Sequence, residues 1–553
     1  MDKRYSFEKE QEIYKKWEDS GAFEAPRKKE AEEKSLEPSS IIMPPPNAND
    51  PLHIGHALFV SLEDLLARYE RMQGKAVLWL PGADHAGIET QYVFEDKLAK
   101  KDKSRFDFDR ESLFEEISSY VEEKSGVAID QMKRLGASAD WSRFKYTLDD
   151  DVVSYVNKTF KKLYKDGLVY RDERLVNYCT SCGTSYSELE VEYREKEGKL
   201  YIISYPLVEG EGDVKVATTR PETMLGDTAV AVNPDDKRYK DLVGKKVRLP
   251  LVGREIEIVA DERVDEEFGT GAVKVTPAHD ETDWKIGVDH VLERIQVIKM
   301  SGTISEEIEE FAGLRVKQAR DEVVKKLEEK GLLIEVKDYE HRVGHCYRCD
   351  EVIEPLPHLQ FFVKVEPLVK EVLKALDKGK VEIVGPGQEK VMRHWLENLR
   401  DWNISRQIVW GIRMPVWYST ELNPELKVVF LDKNGEKVKG KVGKLIDKYT
   451  LAEIEDGLQE LRAEKDSEFV VSEDKPGEEF LQETDTFDTW FSSSQWPVVS
   501  LKTNRQGDFE YYYPTSIMET AYDILIFWVM RMLMMGIYLT DQVPFERVYL
   551  HGL

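Results

Sequence analysis

The apolar run Ile41-Ile42-Met43 ends at three consecutive prolines, Pro44 to Pro46, and a second apolar run, Ala76 to Leu80, ends at Pro81-Gly82. Proline offers no amide hydrogen and glycine interrupts regular structure, so both runs read as buried strands closed by stiff turns. Between them Leu58, Leu62, Leu65, Leu66 and Tyr69 recur at three- and four-residue spacing up to Gly74, the period of a helix with one apolar face. A strand, a helix and a strand in that order predict an α/β architecture, which the helical spacing of Val153, Val156, Phe160 and Leu163 extends as far as Gly167. A charged helix is predicted before all of these, from Phe7 to Trp17, followed by a solvated run from Arg27 to Lys34.

From about Lys199 to Val275 the texture changes to short runs rich in valine, isoleucine and threonine: LYIISY, VKVATT, TAVAVN, KVRLPLV, EIEIVA and AVKVT. These predict a separate β-rich domain. After Cys349 helices and buried strands return, with a helix around Ile524 to Met535 and a strand at Val548 to Leu550. The lysine-rich stretch Lys433 to Lys448 reads as a solvated hairpin or loop. With 553 residues, 41% of them hydrophobic and 33% charged, the chain is multidomain and globular, which excludes a disordered, collagen-like or disulfide-stapled protein. The most apolar run, Ile524 to Met530, is broken by Arg531 and reads as too short for a bilayer, and MDKRYSFEKEQEIYKKW has no signal-peptide core. A cytoplasmic protein with no membrane partner is therefore expected. The net charge of −27 excludes a global basic field, so a nucleic acid would have to be held by local patches.

Two constellations carry chemistry. In PPPNANDPLHIGHAL, Pro44 to Leu58, His53 and His56 stand with Gly55 where a helix begins. Unpaired backbone N–H groups and the positive end of the helix dipole favour a polyphosphate there, and the imidazoles can donate to phosphate oxygens as charge builds. Two surface histidines on a tight turn are the plainer alternative. Separately, Cys179, Cys182, Cys346 and Cys349 form two C-x-x-C pairs flanking the β-rich stretch in a chain with no export signal, so a metal outranks a disulfide. If the strands leading into and out of the insertion meet, one tetrahedral Zn²⁺ is accommodated. Reduced, unliganded thiols are the alternative, and His345 is a competing ligand.

PPPN…LHIGHAL resembles the HIGH signature of the class I aminoacyl-tRNA synthetases, and LPGADHAGIETQ, Leu80 to Gln91, is similar to the second-strand motif of the valyl-tRNA synthetases. The resemblance runs on through LGASADWSR, LVNYCTSC, TTRPETMLGDTAVAV, GTGAVKVTPAHDETDW, DWNISRQIVWG, FDTWFSSSQWP and ETAYDILIFWVMRM, in the family's order and over nearly the whole chain. It implies a Rossmann-type catalytic domain split by a β-rich, barrel-like editing domain, with residues 1–38 a helical extension, 39–190 the first catalytic half with one cysteine pair, 191–343 the editing insertion, 344–400 a return segment with the second pair and 401–553 the second catalytic half. The implied reaction joins valine to ATP, with Mg²⁺, and passes it to tRNA(Val), with no covalent enzyme intermediate. A monomer is expected.

Motif by motif, the resemblance puts His53, Gly55 and His56 on the triphosphate, with the two histidines as the catalytic pair. It puts Glu519 and Asp523 on the ribose, and His551, Gly552 and Leu553 beside the adenine. Valine would sit among Pro44, Pro45, Trp490, Ile524 and Trp528, near Asn47, with Asp84 taking its ammonium; a helix N-cap role for Asp84 and core packing for Ile524 and Trp528, four residues apart on one helix face, are the alternatives. A valine pocket cannot strongly exclude threonine, a pair for which discrimination of about 100-fold is the established general figure, so a hydrolytic second site is implied. Its matching residues are Arg220, Thr223, Lys274, Thr276, His279, Asp280 and Asp283. Otherwise Arg220 reads as part of a surface turn, and Asp280 with Asp283 as a helix N-terminal pair.

Some positions depart from the family's pattern. Ala521 stands where a glycine is usual beside the ribose, and Asp50 where a small residue is usual. No cysteine occurs from Tyr418 to Glu483, so a second zinc is excluded. A KMSKS loop is expected only after Leu553, Lys299-Met300-Ser301 being a decoy inside the insertion, and the anticodon-binding domain is absent from the sequence. Weak or absent valine activation by this chain alone is the consequence expected. A stand-alone editing hydrolase, a non-catalytic fragment and an isoleucyl-type relative are the competing readings, the last opposed by Asp84-His85-Ala86-Gly87.

Overall fold

Pro38–Ile42 pairs in parallel with Ala76–Leu80, from Pro38 opposite Ala76 to Ile42 opposite Leu80. On its other side Ile41 forms a parallel bridge with Ile517, and the Ser516 N–H donates to the Ser40 carbonyl at 3.0 Å. Ile517 leads into Met518–Ala521, which pairs in parallel with Arg547–His551, and that strand with Glu382–Val384. The computed structural model thus holds a row of five parallel strands drawn from both ends of the chain. It describes residues 7–49 and 51–552, so Asp50 and Leu553 lie outside the described residues.

The chain divides into two compact units, one comprising Met1–Arg171 and Phe361–Leu553, the other Asp172–Gln360. These divisions fall outside the expected limits at 190/191 and 343/344, so both cysteine pairs belong to the second unit. The reason lies in the pairing: Leu333–Cys346 runs antiparallel to Val191–Pro206 down to Cys346 opposite Val191, carrying the cysteines with the insertion's own sheet.

In the first unit every residue of Ala76–Leu80 is buried, as the unbroken apolar run requires of a strand covered on both faces. The helix expected after the prolines is Ile54–Met72, and its buried Phe59, Val60 and Ala67 pack with Ile41, Val77 and Trp79. At the N-terminal end the helix Glu10–Asp19 is tied down through Tyr14, whose hydroxyl donates to the Ala137 carbonyl at 2.7 Å and accepts from Trp141 Nε1 at 2.6 Å. The lysine-rich stretch forms part of a hairpin, Lys427–Leu431 with Lys437–Lys441, followed by a short helix. The segment expected to be one helix from Ile524 is a 3₁₀ turn to Ile524, a π-helix over Leu525–Val529 and an α-helix only from Met530 to Thr540. The α-helical spacing assumed for Ile524 and Trp528 therefore does not apply. By length and composition alone Tyr522–Thr540 is a candidate membrane span, contrary to the sequence reading, but Met530 to Gly536 are all buried in this unit and the Arg531 guanidinium lies 4.6 Å from the Trp402 ring.

The second unit is β-rich, as expected. Val191–Pro206 is flanked by Leu333–Cys346 and Asp213–Thr218, and a four-stranded sheet runs in the order Lys246–Arg248, Glu255–Ala260, Ala229–Val232, Ala272–Val275. Alternation in Asp213–Thr218 and Glu255–Ala260 turns Val214, Val216, Ile256 and Ile258 into a core shared with Ile203, Tyr205, Val230 and Val232. Among the described residues these strands form two open sheets rather than a closed barrel. The three-residue strand Lys246–Arg248 is short, and a single bridge, Leu207 to Val247, links it to the segment following Val191–Pro206.

Candidate active site, hydrolytic site and cysteine cluster

In the first unit the chain leaves Pro38–Ile42 toward Ala76–Leu80 on one side, while Met518–Ala521 leads to Arg547–His551 on the other. The crevice at the carboxyl ends of the two central strands is the place where parallel sheets of this winding bind ligands. Pro44 and Pro45 follow one of these strands and Ala521 to Asp523 the other, with Asp523 exposed to solvent. Asn47 forms a parallel bridge with Asp84, the Asp84 N–H donating to the Pro46 carbonyl and the Ala48 N–H to the Asp84 carbonyl, each at 2.9 Å. The proline turn is thereby fixed to the end of the next strand.

His53 caps the helix Ile54–Met72. Its Nδ1 accepts from the Gly55 N–H at 3.1 Å, and His56 Nδ1 accepts from the His53 N–H at 3.1 Å, with the two rings 3.8 Å apart. Both Nδ1 atoms act as acceptors, which leaves Nε2 as the donor of each ring. Burial and the neighbouring His53 push His56 down to about 4, which keeps it neutral at pH 7. A Cβ at Gly55 would lie 2.9 Å from the His53 ring, so glycine is what leaves room for this ring placement.

Asp84 is buried and accepts from the Ala86 N–H at 2.8 Å in a local turn; the N-cap of the helix Gly87–Ala99 is Ala86, with no side-chain cap, so the N-cap alternative for Asp84 does not hold. Burial nevertheless raises its carboxyl to about 7, so a cation arriving at this group would relieve an energetic cost. The other polar residues of LPGADHAGIETQ hold the framework: the His85 carbonyl accepts from Trp410 Nε1 at 2.8 Å, and Gln91 Oε1 accepts from the Val409 and Trp410 N–H groups at 2.8 and 3.0 Å. Trp528 is buried with its Nε1 donating to the Ser493 carbonyl at 2.9 Å, while the half-buried Trp490 lies tilted against Phe527, ring centroids 5.8 Å apart. Ile524 is half-buried. Glu519 is fully buried with its Oε1 2.5 Å from His551 Nδ1, and Gly552 has open space around its α-carbon. Ala521 has φ −68° and ψ 148°, an extended conformation that any residue adopts, so alanine strains nothing there.

In the second unit Lys274, Thr223, Thr276 and Asp283 meet. Lys274 Nζ donates to Thr223 Oγ1 at 2.9 Å and to Thr276 Oγ1 at 2.7 Å, and Asp283 Oδ2 accepts from the Thr276 N–H at 2.8 Å. Burial, with Asp280 adding to it, raises Asp283 to about 7. Asp280 is exposed and caps the helix Glu281–Asp289 by accepting from the Thr282 and Asp283 N–H groups. His279 is committed to the framework: its Nε2 accepts from the Val297 and Ile298 N–H groups at 2.8 and 3.2 Å, and burial pushes it down to about 3. Arg220 is not a free surface residue but pairs with the buried Glu354 and, at 3.3 Å, with Glu222.

The residue that sequence reasoning missed is Asp227. It is fully buried, and its carboxylate accepts from Tyr205 Oη at 2.7 Å and from Thr276 Oγ1 at 2.5 Å, with Lys274 Nζ 3.6 Å away. A lone aspartate just before the apolar run TAVAV, at a point where the strand is buried, was the available signal.

All four cysteine sulfurs lie within 4.8 Å of one another, with Cys179 to Cys349 at 3.4 Å and Cys182 to Cys346 at 3.8 Å. Four sulfurs around a tetrahedral Zn²⁺ with bonds of about 2.3 Å stand about 3.8 Å apart, so the cluster fits that ion. His345 is outside the set, its Nδ1 lying 2.8 Å from the Asp350 carbonyl.

The sequence pattern of the tRNA synthetases class I (I, L, M and V) matches residues 12–553. Similar curated proteins include the valine–tRNA ligases of Carboxydothermus hydrogenoformans, 44% identical over 99% of this chain and 57% of that protein, and of Geobacter sulfurreducens, 45% identical over 98% and 57%. The chain thus spans a little over half the length of these relatives. A crystal structure of the LeuRS-tRNA-LeuAMS ternary complex from Agrobacterium radiobacter K84 covers all of this chain and 68% of that one, with TM-score 0.48 and 16% identity.

Proposed function

Since the chain belongs to the class I tRNA synthetases of the isoleucine, leucine, methionine and valine group, we propose that it carries the aminoacyl-adenylate site and the editing site of a valine–tRNA ligase. The observation that supports this most is the pairing of Asn47 with Asp84 beyond one parallel strand and of Glu519 with His551 on two others, with His53 and His56 opening the helix that follows the first. In this reading ATP, as its Mg²⁺ complex, lies with its triphosphate at the start of the helix Ile54–Met72. The Nε2–H groups of His53 and His56 donate to phosphate oxygens as negative charge develops there. Asp84 takes the valine ammonium, whose charge offsets the cost of ionising a buried carboxyl. Pro44, Pro45, Trp490, Ile524 and Trp528 bound the short branched side chain. His551 and Gly552 receive the adenine end, and Glu519 with Asp523 the ribose.

Threonine esterified to tRNA(Val) is the proposed substrate of the second unit. Lys274, Thr223, Thr276 and Asp283 offer donors and acceptors for its ammonium and hydroxyl, whereas valine leaves the hydroxyl partners unsatisfied. The cysteine cluster is proposed to hold one structural Zn²⁺, whose contribution is to tie the two ends of the insertion together.

Calorimetric binding of non-hydrolysable valyl-, isoleucyl- and threonyl-adenylate analogues to this chain tests the first site. Tight binding that prefers the valyl analogue is expected; an absence of binding by the folded protein would overturn the reading and leave hydrolysis of threonyl-tRNA as the activity to assay.

A further inference from the structure

The helix Ile54–Met72 buries a carboxyl that the proposed chemistry does not use. Glu63 is fully buried, and its Oε2 accepts from Trp79 Nε1 at 2.6 Å while its Oε1 has no partner. The same helix packs against Met518–Ala521, where Glu519 is in the same condition: Oε1 is held by His551 and Oε2 is buried without a partner. Each carboxyl therefore has one oxygen satisfied by a ring N–H and one left over. Two ionised carboxylates cannot share such a dry space, because each would pay desolvation and their charges would repel. An oxygen left bare in a protein interior costs about 1–3 kcal/mol, so two bare carboxyl oxygens on a helix and a strand that pack against each other point to a common partner.

We propose that Glu63 is a positioning residue for the nucleotide end of the crevice: its carboxyl holds a proton and donates it from Oε1 to Glu519 Oε2, locking Glu519 against His551. One proton satisfies both leftover oxygens. Glu63 is the donor because its other oxygen faces a neutral indole, whereas Glu519 faces an imidazole able to stabilise its charge. Burial, with the charge of Glu519 adding to it, pushes Glu63 well above the ordinary carboxyl range, in keeping with this assignment. The groups facing the pair are Trp79, from the adjoining strand, and His551. The consequence for ATP rests on the function proposed above: a Glu519 fixed in charge and rotamer is ready for a ribose hydroxyl without reorganising.

Two measurements on this chain separate the pair from that function. Infrared difference spectra between wild type and Glu63→Gln at neutral pH are expected to show loss of a protonated-carboxyl C=O band, whether or not ATP binds. No such loss would mean that Glu63 is ionised, with a cation between the carboxylates in place of the proton, and would overturn the proposal. In calorimetric ATP titrations Glu63→Gln, whose amide can still donate to Glu519 and accept from Trp79, is expected to stay within about twofold of wild type, and Glu63→Leu to bind about tenfold more weakly. Equal affinities for Glu63→Leu and wild type would overturn the positioning role. If no variant binds ATP, the functional reading fails and the infrared band alone decides the shared proton.

Discussion

Lys274 Nζ stands 3.6 Å from Asp227 Oδ1, and Thr276 Oγ1 joins them, accepting from the ammonium at 2.7 Å and donating to the carboxylate at 2.5 Å. Both charges are buried, so each is tolerable only because of the other. These contacts hold the Lys274 amine beside Thr223 and Thr276.

Removing one member should then be costly. Asp227→Ala is expected to destabilise the protein by about 3–5 kcal/mol, as for a broken buried ion pair, and to abolish threonyl-tRNA hydrolysis. Urea denaturation and a deacylation assay check this; a change below about 1 kcal/mol would show that Lys274 is not held by Asp227.

The cysteine geometry predicts one equivalent of zinc by metal analysis of the purified chain. Cys346→Ser is expected to weaken zinc binding by more than about 100-fold, since a lost ligand should cost at least as much as a lost outer partner. Chelation should lower the melting temperature of the wild type and leave that of the variant unchanged.

Asp84 gives a pH signature. Its carboxyl rises from 3.8 to about 7, so between these values the folded state holds a proton that the unfolded state has released. Stability should therefore fall as pH rises from about 4 to about 7, by at most about 4 kcal/mol for this group. Asp283 acts in the same sense, so the difference between wild type and Asp84→Asn isolates the first site. Binding of the valyl-adenylate analogue should strengthen over the same range as the carboxylate forms, a dependence that Asp84→Asn removes.

Gln91 Oε1 accepts from both the Val409 and Trp410 N–H groups. Gln91→Ala should leave these donors unpaired at a cost of about 1–3 kcal/mol in chemical denaturation, whereas Gln91→Glu, which keeps an acceptor, should cost less.

Much of this was legible in the residues because it depends on near neighbours. An unbroken apolar run closed by prolines can only be a buried strand with a stiff end, and Ala76–Leu80 is buried at every position. His53 and Gly55 precede a helical period, so their place at its first turn follows from the spacing. The paired C-x-x-C motifs carry their ligand geometry within four residues each, and only the meeting of the pairs had to wait.

What the tertiary structure decided is every relation between distant segments. Ile41 beside Ile517 makes one parallel row out of the two ends of the chain, a register set by packing rather than by any local pattern. Glu63 reads in the sequence as one acidic residue on an amphipathic helix, and only the packing of that helix shows it to be a fully buried carboxyl with one oxygen unpartnered. Asp227 was hidden in the same way, as a turn residue before a strand. The helical run after Asp523 turned the other way, its regular apolar spacing giving no sign of the π-helix over Leu525–Val529. Side-chain periodicity fixes which face of an element is apolar. Which charges that face then encloses depends on what packs against it, and that information is distributed over the whole chain.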